Sequence, residues 1–145
     1  MANYKLYFDG SCSPQNPGGT AKYGFALFKY GQPEPIVMDH GIIGTGPGMT
    51  NNLAEFTALW HGLMAFYLQV RDDPRGSMLI CVGDSRLVVN VMNNKWGTDP
   101  SKPYYPSYDS ANKLYHSLEK SGHLVGFKWI PREQNQMADD LSKIK

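Results

Sequence analysis

Up to about residue 45 the apolar residues fall into short β-prone runs separated by turn chemistry. Tyr4-Lys5-Leu6-Tyr7-Phe8-Asp9-Gly10 is the first run, and it ends on a carboxylate. Ser11 to Gly19 is dense in Ser, Pro, Asn and Gly and predicts a hairpin connection to Tyr23-Gly24-Phe25-Ala26-Leu27-Phe28. Gly31-Gln32-Pro33 turns the chain again, and Ile36 to Ile43 reads as a third strand. Three consecutive strands with short turns predict an antiparallel meander. From Thr50 the period changes to that of a helix, which runs to about Val70 with Leu53, Phe56, Trp60, Leu63, Tyr67 and Val70 on one stripe. Ala58, Leu59, Gly62 and Phe66 form a second stripe, so much of this helix should be buried.

Met78-Leu79-Ile80-Cys81-Val82-Gly83 shows no alternation and predicts a central parallel strand buried on both faces. The strand stops on Asp84. Leu87, Val88, Val91 and Met92 then follow helical spacing, with Ser85 or Asp84 as the cap. A Pro/Tyr-rich loop spans Trp96 to Pro106, a helix is predicted over Tyr108–Ser121, and Gly122 stops it. Leu124 to Ile130 is the last strand, and a short helix from Gln134 to about Ile144 holds Asp139 and Asp140. The order β-β-β then α-β-α-α-β-α implies parallel strands with helical crossovers beside the meander, an α/β arrangement.

Composition adds limits. The 145 residues suit one domain, 1–145, with 41% hydrophobic and 19% charged residues. No apolar run approaches the roughly 20 residues of a membrane span, and the start shows no secretory apolar core. Cys12 and Cys81 match no metal spacing and are expected to be reduced thiols in a cytoplasmic protein. Net charge is +1, but residues 1–84 hold five Lys/Arg against seven Asp/Glu, while residues 85–145 hold nine against six. If four acids gather at a metal, the rest of the chain is positive enough to attract a polyanion.

The acids raise the chemical question. Asp9 ends the first strand and Asp84 the central one, and the carboxyl ends of strands in open α/β sheets are where ligands bind. Asp84 alone is equally a helix cap. Glu55 lies within about 20–60° of the stripe formed by Ala58, Leu59, Gly62 and Phe66, where an unpaired carboxylate is costly. A helix-dipole role would not require it to face the core. Four carboxylates without balancing cations repel one another, and a hard dication with all-oxygen ligands, Mg²⁺ or Mn²⁺, relieves that. Two such ions about 4 Å apart suit phosphodiester hydrolysis. The chain lacks a Cys/His zinc pattern, a Walker A loop and a Ser-His-Asp signal.

Asp9-Gly10-Ser11 with Asn16-Pro17-Gly18-Gly19, then Thr50-Asn51-Asn52-Leu53-Ala54-Glu55, then Asp84-Ser85, then Asn135-Gln136-Met137-Ala138-Asp139 resemble the motifs of the type 1 ribonuclease H family, in family order and across nearly the whole chain. The resemblance implies a mixed five-stranded sheet, three antiparallel strands then parallel strands, with helices on both faces. It implies a monomeric endoribonuclease that hydrolyses the RNA strand of RNA–DNA hybrids with two Mg²⁺ ions (Mn²⁺ as a substitute), leaving 5′-phosphate and 3′-hydroxyl ends. Asp9, Glu55, Asp84 and Asp139 become the catalytic metal-binding carboxylates, and Asp140 a solvated neighbour. Asn16, Asn51 and Asn52 are assigned to the hybrid, whose 2′-hydroxyl both donates and accepts; turn and cap chemistry at Thr50 or Asn51 is compatible with that role. Trp96 resembles the aromatic residue that packs on the DNA strand, although core packing would equally explain it.

Two departures stand out. Many family members carry a histidine before the terminal aspartate, whereas here the loop reads Pro131-Arg132-Glu133-Gln134. Arg132 is the candidate replacement, acting as a fixed cation on the scissile phosphate, while His123 should lie at the far end of the last strand. Residues 97–106 hold one lysine, where some bacterial members carry a basic protrusion. Two other readings fit the same fold: a nuclease for another nucleic acid, and a non-catalytic hybrid-binding module.

Overall fold

A computed structural model describes residues 1–144; Lys145, the last residue of the expected domain, lies outside the described residues. β1 (Ala2–Ser13), β2 (Thr20–Lys29) and β3 (Val37–Thr45) form the antiparallel meander. β4 (Ser77–Gly83) pairs parallel with β1, and β5 (Leu124–Trp129) pairs parallel with β4. The sheet order is β3-β2-β1-β4-β5, so β1 and β4 are central. β1 runs past Gly10 because Ser11, Cys12 and Ser13 still pair with Lys22, Ala21 and Thr20. The hairpin turn is therefore shorter than its composition suggested.

α1 (Asn51–Val70) starts at an extended Thr50 whose Oγ1 accepts the Leu53 N–H at 3.0 Å. Its buried stripe packs on the face of β1 that carries Tyr4, Leu6 and Phe8, and Leu6 and Phe8 are fully buried. The ring of Tyr4 meets that of Phe66 edge-on at 5.4 Å. α2 (Arg86–Met92) and α3 (Tyr105–Lys120) complete this layer. α3 begins three residues earlier than predicted: Pro106 falls in its first turn, where a missing N–H costs nothing. Tyr104, from the Pro/Tyr-rich segment, stacks on Phe56 at 5.1 Å, so part of that segment is core.

The predicted terminal helix is split. Arg132–Gln134 forms a 3₁₀ turn and α4 (Gln136–Leu141) follows, with Asn135 turned inward between them. α4 packs on the opposite face of the sheet, against β2 and β1, where Gly24 leaves room for Leu141 and Ser142. Helices thus lie on both faces, but α4 spans only about 9 Å at 1.5 Å per residue. This corrects the expectation that β4 is buried on both sides. Its burial alternates, and Met78 and Ile80 are each 37% exposed on the face that α4 does not reach.

Candidate active site

Strand register brings the first two acids together. Tyr7 pairs with Val82 across the parallel β1–β4 ladder, so Asp9 and Asp84 each lie two residues further along. Two residues restores the same face of a strand, and neighbouring strands are about 4.8 Å apart. The cap of α2 is Ser85, whose Oγ accepts the Val88 N–H at 3.3 Å, and this leaves the Asp84 carboxylate free for the pocket. Trp129 Nε1 donates to the Asp84 carbonyl at 3.1 Å, and the Arg86 guanidinium lies 4.0 Å from the Trp129 ring centroid. The strand end is therefore held from the side of β5.

Glu55 comes from the first turns of α1, and Gly10 sets how close that helix sits. A Cβ on Gly10 would fall inside the backbone of Ala54 and Glu55. The absent side chain lets α1 rest directly on β1 beside Asp9. One oxygen each of Asp9, Glu55 and Asp84 then lies within 4.8 Å of the others. Asp9 and Glu55 are buried, and Asp84 is partly so.

This packing is electrostatically expensive. Burial, followed by the charges of Asp84 and Asp139, pushes the Asp9 carboxyl up to about 7, against a partial offset from its hydrogen bond with Glu55. Glu55 is raised well above the usual carboxylate range by burial and by the neighbouring Asp9 and Asp84. Near neutral pH the pair holds protons that free carboxylates would have released. Glu55 Oε2 is buried without a hydrogen-bond partner. A buried, unpaired oxygen within a triangle of acids is what a cation would satisfy, and the donor set is all oxygen, which suits Mg²⁺ or Mn²⁺.

Asp139 reaches the same pocket from α4, while Asp140 is exposed and accepts from Gln136 Nε2 at 2.7 Å. Two cations attend Asp139: Lys143 Nζ at 3.2 Å and Arg132 Nη2 at 3.6 Å. Burial raises its carboxyl, but hydrogen bonds with Asp9 and Lys143 and the charges of Lys143 and Arg132 outweigh that and hold it below the usual range. One side of the cluster is therefore short of positive charge and the other is supplied with it.

The pocket, about 490 Å³, is lined by these groups together with Asn51, Asn52, Ser85 and Arg132. The exposed Asn51 and Asn52 side chains stand at its mouth on the first turn of α1. Asn16 Oδ1 accepts the Asn51 N–H at 3.0 Å, which ties the hairpin turn to the helix start. Thr50 is the helix cap and lines an adjoining groove with Asn52, Pro17 and Tyr104. Trp96 lies outside the pocket after α2 and is about half exposed, so it is not a core residue. Glu133 is exposed on the 3₁₀ turn. His123 is buried at the opposite end of the sheet, where its Nδ1 accepts the Ser77 N–H at 3.0 Å.

Two residues at the site had been given no role. Lys143 follows Asp139 by four residues, the spacing at which helical side chains meet, and that spacing could have flagged it. Asn135 is fully buried, and its Nδ2 donates to the Phe8 carbonyl at 2.9 Å and to Asp84 Oδ1 at 3.4 Å. A single amide between two short helical turns carries no such signal in sequence.

A family model described as reverse transcriptase-like matches residues 33–144. Among solved structures, an RNase H1 from the halophilic archaeon Halobacterium salinarum NRC-1 is 28% identical, over 96% of this chain and 93% of that one, with a TM-score of 0.75. LC11-RNase H1, isolated from compost and solved in complex with an RNA/DNA hybrid, is 22% identical over 95% of this chain and 92% of its own, with a TM-score of 0.80. The N-terminal RNase H domain of a Mycobacterium tuberculosis protein is 23% identical over 97% and 91%, with a TM-score of 0.77. The last two comparisons bear on the fold alone.

Proposed function

The chain belongs to the reverse transcriptase-like family and has the fold of type 1 ribonucleases H; from that premise we propose that it is an endoribonuclease for the RNA strand of RNA–DNA hybrids. The observation that carries this reading is the meeting of Asp9, Glu55 and Asp84, with Glu55 Oε2 buried and unpartnered among them. Asp9, Glu55, Asp84 and Asp139 would hold two Mg²⁺ ions, with Mn²⁺ as a substitute. Bound there, the ions supply activation of a water and neutralisation of charge on the leaving oxygen. Hydrolysis adds that water across the P–O3′ bond and leaves 5′-phosphate and 3′-hydroxyl ends.

The remaining work falls to the chain's own groups. Asn51 and Asn52, with Asn16 bracing the helix start, would read the 2′-hydroxyl of the RNA strand from the minor groove. The helix cap at Thr50 holds those amides at the pocket mouth. Trp96, exposed on the surface, is free to pack on the DNA strand. Arg132 would face the scissile phosphate as a permanent cation, already close to the carboxylates. The fold acts as a monomer in this reading, on a substrate drawn to its basic C-terminal half.

Cleavage of an end-labelled RNA–DNA hybrid, with RNA and DNA duplexes in parallel, tests it. Metal-dependent cutting confined to the RNA of the hybrid, and lost with chelator, is the expected result. Cutting of another duplex would move the protein to a different nuclease class. Hybrid binding without cutting in either Mg²⁺ or Mn²⁺ would overturn the catalytic reading.

A further inference from the structure

The face of the sheet that α4 leaves open has a composition of its own. Tyr7, Phe28, Met78, Ile80 and Met137 line an open groove of about 920 Å³. Its floor is apolar and wet, with Met78 and Ile80 each 37% exposed and Met137 42% exposed. These apolar side chains are contiguous along one face of the sheet and not scattered singly. The groove shares no lining residue with the carboxylate pocket, so it is not an extension of the candidate active site.

Charge distinguishes this groove further. Lys5, Lys29 and Lys128 stand along it, and no aspartate or glutamate lines it. Among the described residues none of these three lysines is ion-paired, whereas Arg75, Lys113, Arg132 and Lys143 all have carboxylate partners. Lys5 instead rests 5.0 Å from the centroid of Tyr7 on the open face. Lys29, 5.9 Å from the centroid of Tyr4, turns its ammonium toward the α1 side and leaves Lys5 and Lys128 as the charges of the groove. The complement of this surface is therefore a row of carboxylates set beside apolar side chains.

We propose that this face docks an acidic segment of another protein, one that carries apolar side chains between its carboxylates. A helix laid across the open strands would supply the layer that α4 begins, since a sheet with one apolar face uncovered is an incomplete α/β sandwich. A second copy of this chain docked through the same face is a poor occupant, because it would set its own unpaired Lys5 and Lys128 against those already there. A nucleic acid would neutralise the lysines but set its sugar–phosphate backbone against Met78, Ile80 and Met137.

The test is selection of a random-peptide display library on the full-length protein, with counter-selection on a Lys5→Glu/Lys128→Glu variant. Both substitutions are on exposed strand positions, and a thermal melt checks that the variant folds. Enriched peptides should combine Asp or Glu with Leu, Phe, Ile or Met. By fluorescence anisotropy the variant should bind them about tenfold more weakly or worse. Amide shifts in NMR should cluster on β1, β4 and β5 at the groove. Ile80→Ser gives a second reading: it should weaken the same peptides while leaving the lysines in place. The proposal is overturned by failure to enrich, by enrichment of peptides without acids, or by shifts that map elsewhere. It is equally overturned if a DNA duplex binds at this groove in competition with the peptides, or if sedimentation shows that the groove is buried in a dimer.

Discussion

Asn135 Nδ2 donates at 3.4 Å to Asp84 Oδ1 and at 2.9 Å to the carbonyl of Phe8, so one buried amide joins the carboxylate at the end of β4 to the main chain of β1. Its own Oδ1 is buried without a partner. The side chain is held there by what it donates, and its donors fix where the Asp84 carboxylate points. Orienting groups of this kind govern metal affinity as well as ligand geometry.

Asn135→Ala should therefore reduce cleavage and divalent-metal affinity by about 10–100-fold and lower stability by roughly 1–3 kcal/mol, because the Phe8 carbonyl loses its buried donor. Isothermal titration with Mg²⁺ and Mn²⁺, alongside urea unfolding, separates the two effects. Unchanged metal affinity would leave Asn135 as a purely structural residue.

Asp84→Asn should abolish cleavage yet leave the metal-free protein at least as stable as the wild type. The substitution removes one of the charges that push the Asp9 and Glu55 carboxyls up, and carboxamide and carboxylate have nearly the same shape. The check is a melt in chelator beside the hybrid assay. Full activity would remove Asp84 from the metal-binding set.

The sequence made some of these relationships legible and hid others for physical reasons. Asp9 and Asp84 could be read because each closes a β-prone apolar run, although β1 itself continues to Ser13, and strand order then makes them neighbours. Glu55 could be read because a carboxylate inside an apolar helical stripe demands a partner. The helix cap was ambiguous between Ser85 and Asp84 until the Ser85–Val88 contact resolved it. The open face was misread: an unalternating aliphatic run looks buried on both sides, but burial depends on how far α4 reaches. That reach depends on where Asn135 breaks the terminal helix, and Asn135 turns inward to bonds made 51 and 127 residues away in sequence. No local pattern encodes such distant partners.

The acid cluster gives the metal-free protein a distinctive pH dependence. Asp9 titrates near 7 in the folded chain against an ordinary value of 3.8, and Glu55 is displaced in the same direction. Between those pH values these two acids bind more protons in the folded state than in the unfolded one, so their contribution to stability falls as pH rises. His61, held below its usual 6.5 by burial, opposes this over the upper part of the window as a single group against two. Asp139, also displaced downward, exerts its effect below its ordinary 3.8 and does not offset this window. Melts in chelator should thus decline from about pH 4 to pH 7. Added Mg²⁺ should raise the midpoint more at about pH 8 than at about pH 5, because cations bind the ionised cluster. A flat profile would mean that the acids are farther apart in solution.

Gly10 should tolerate nothing larger. Even Ala would set its Cβ inside the Ala54–Glu55 backbone, and relief requires α1 to move away from β1. Gly10→Ala should cost about 1–3 kcal/mol, as overpacking does, and carry Glu55 away from Asp9 and Asp84. Activity should fall further than stability alone explains, with a large loss at temperatures well below the melt. Wild-type cleavage by a stable Gly10→Ala protein would show that the close approach is not needed.

Arg132 offers the sharpest separation of charge from proton transfer. Its guanidinium sits 3.6 Å from Asp139 Oδ1, and an arginine side chain offers donors and charge but no acceptor for a proton. If it acts on the scissile phosphate as a fixed cation, Arg132→Gln should lower kcat by roughly 10–100-fold, as loss of one preorganised electrostatic group does. The shape of the pH–rate profile should stay the same, because no titrating group has been removed. Arg132→Lys should recover part of the rate, since it keeps the charge but not the planar fork. Arg132→His should recover activity only below about pH 6.5, where imidazole is protonated. Steady-state kinetics on a hybrid across that pH range would read all three. A rate that rises instead as the histidine loses its proton would assign the position to a base and not to a cation.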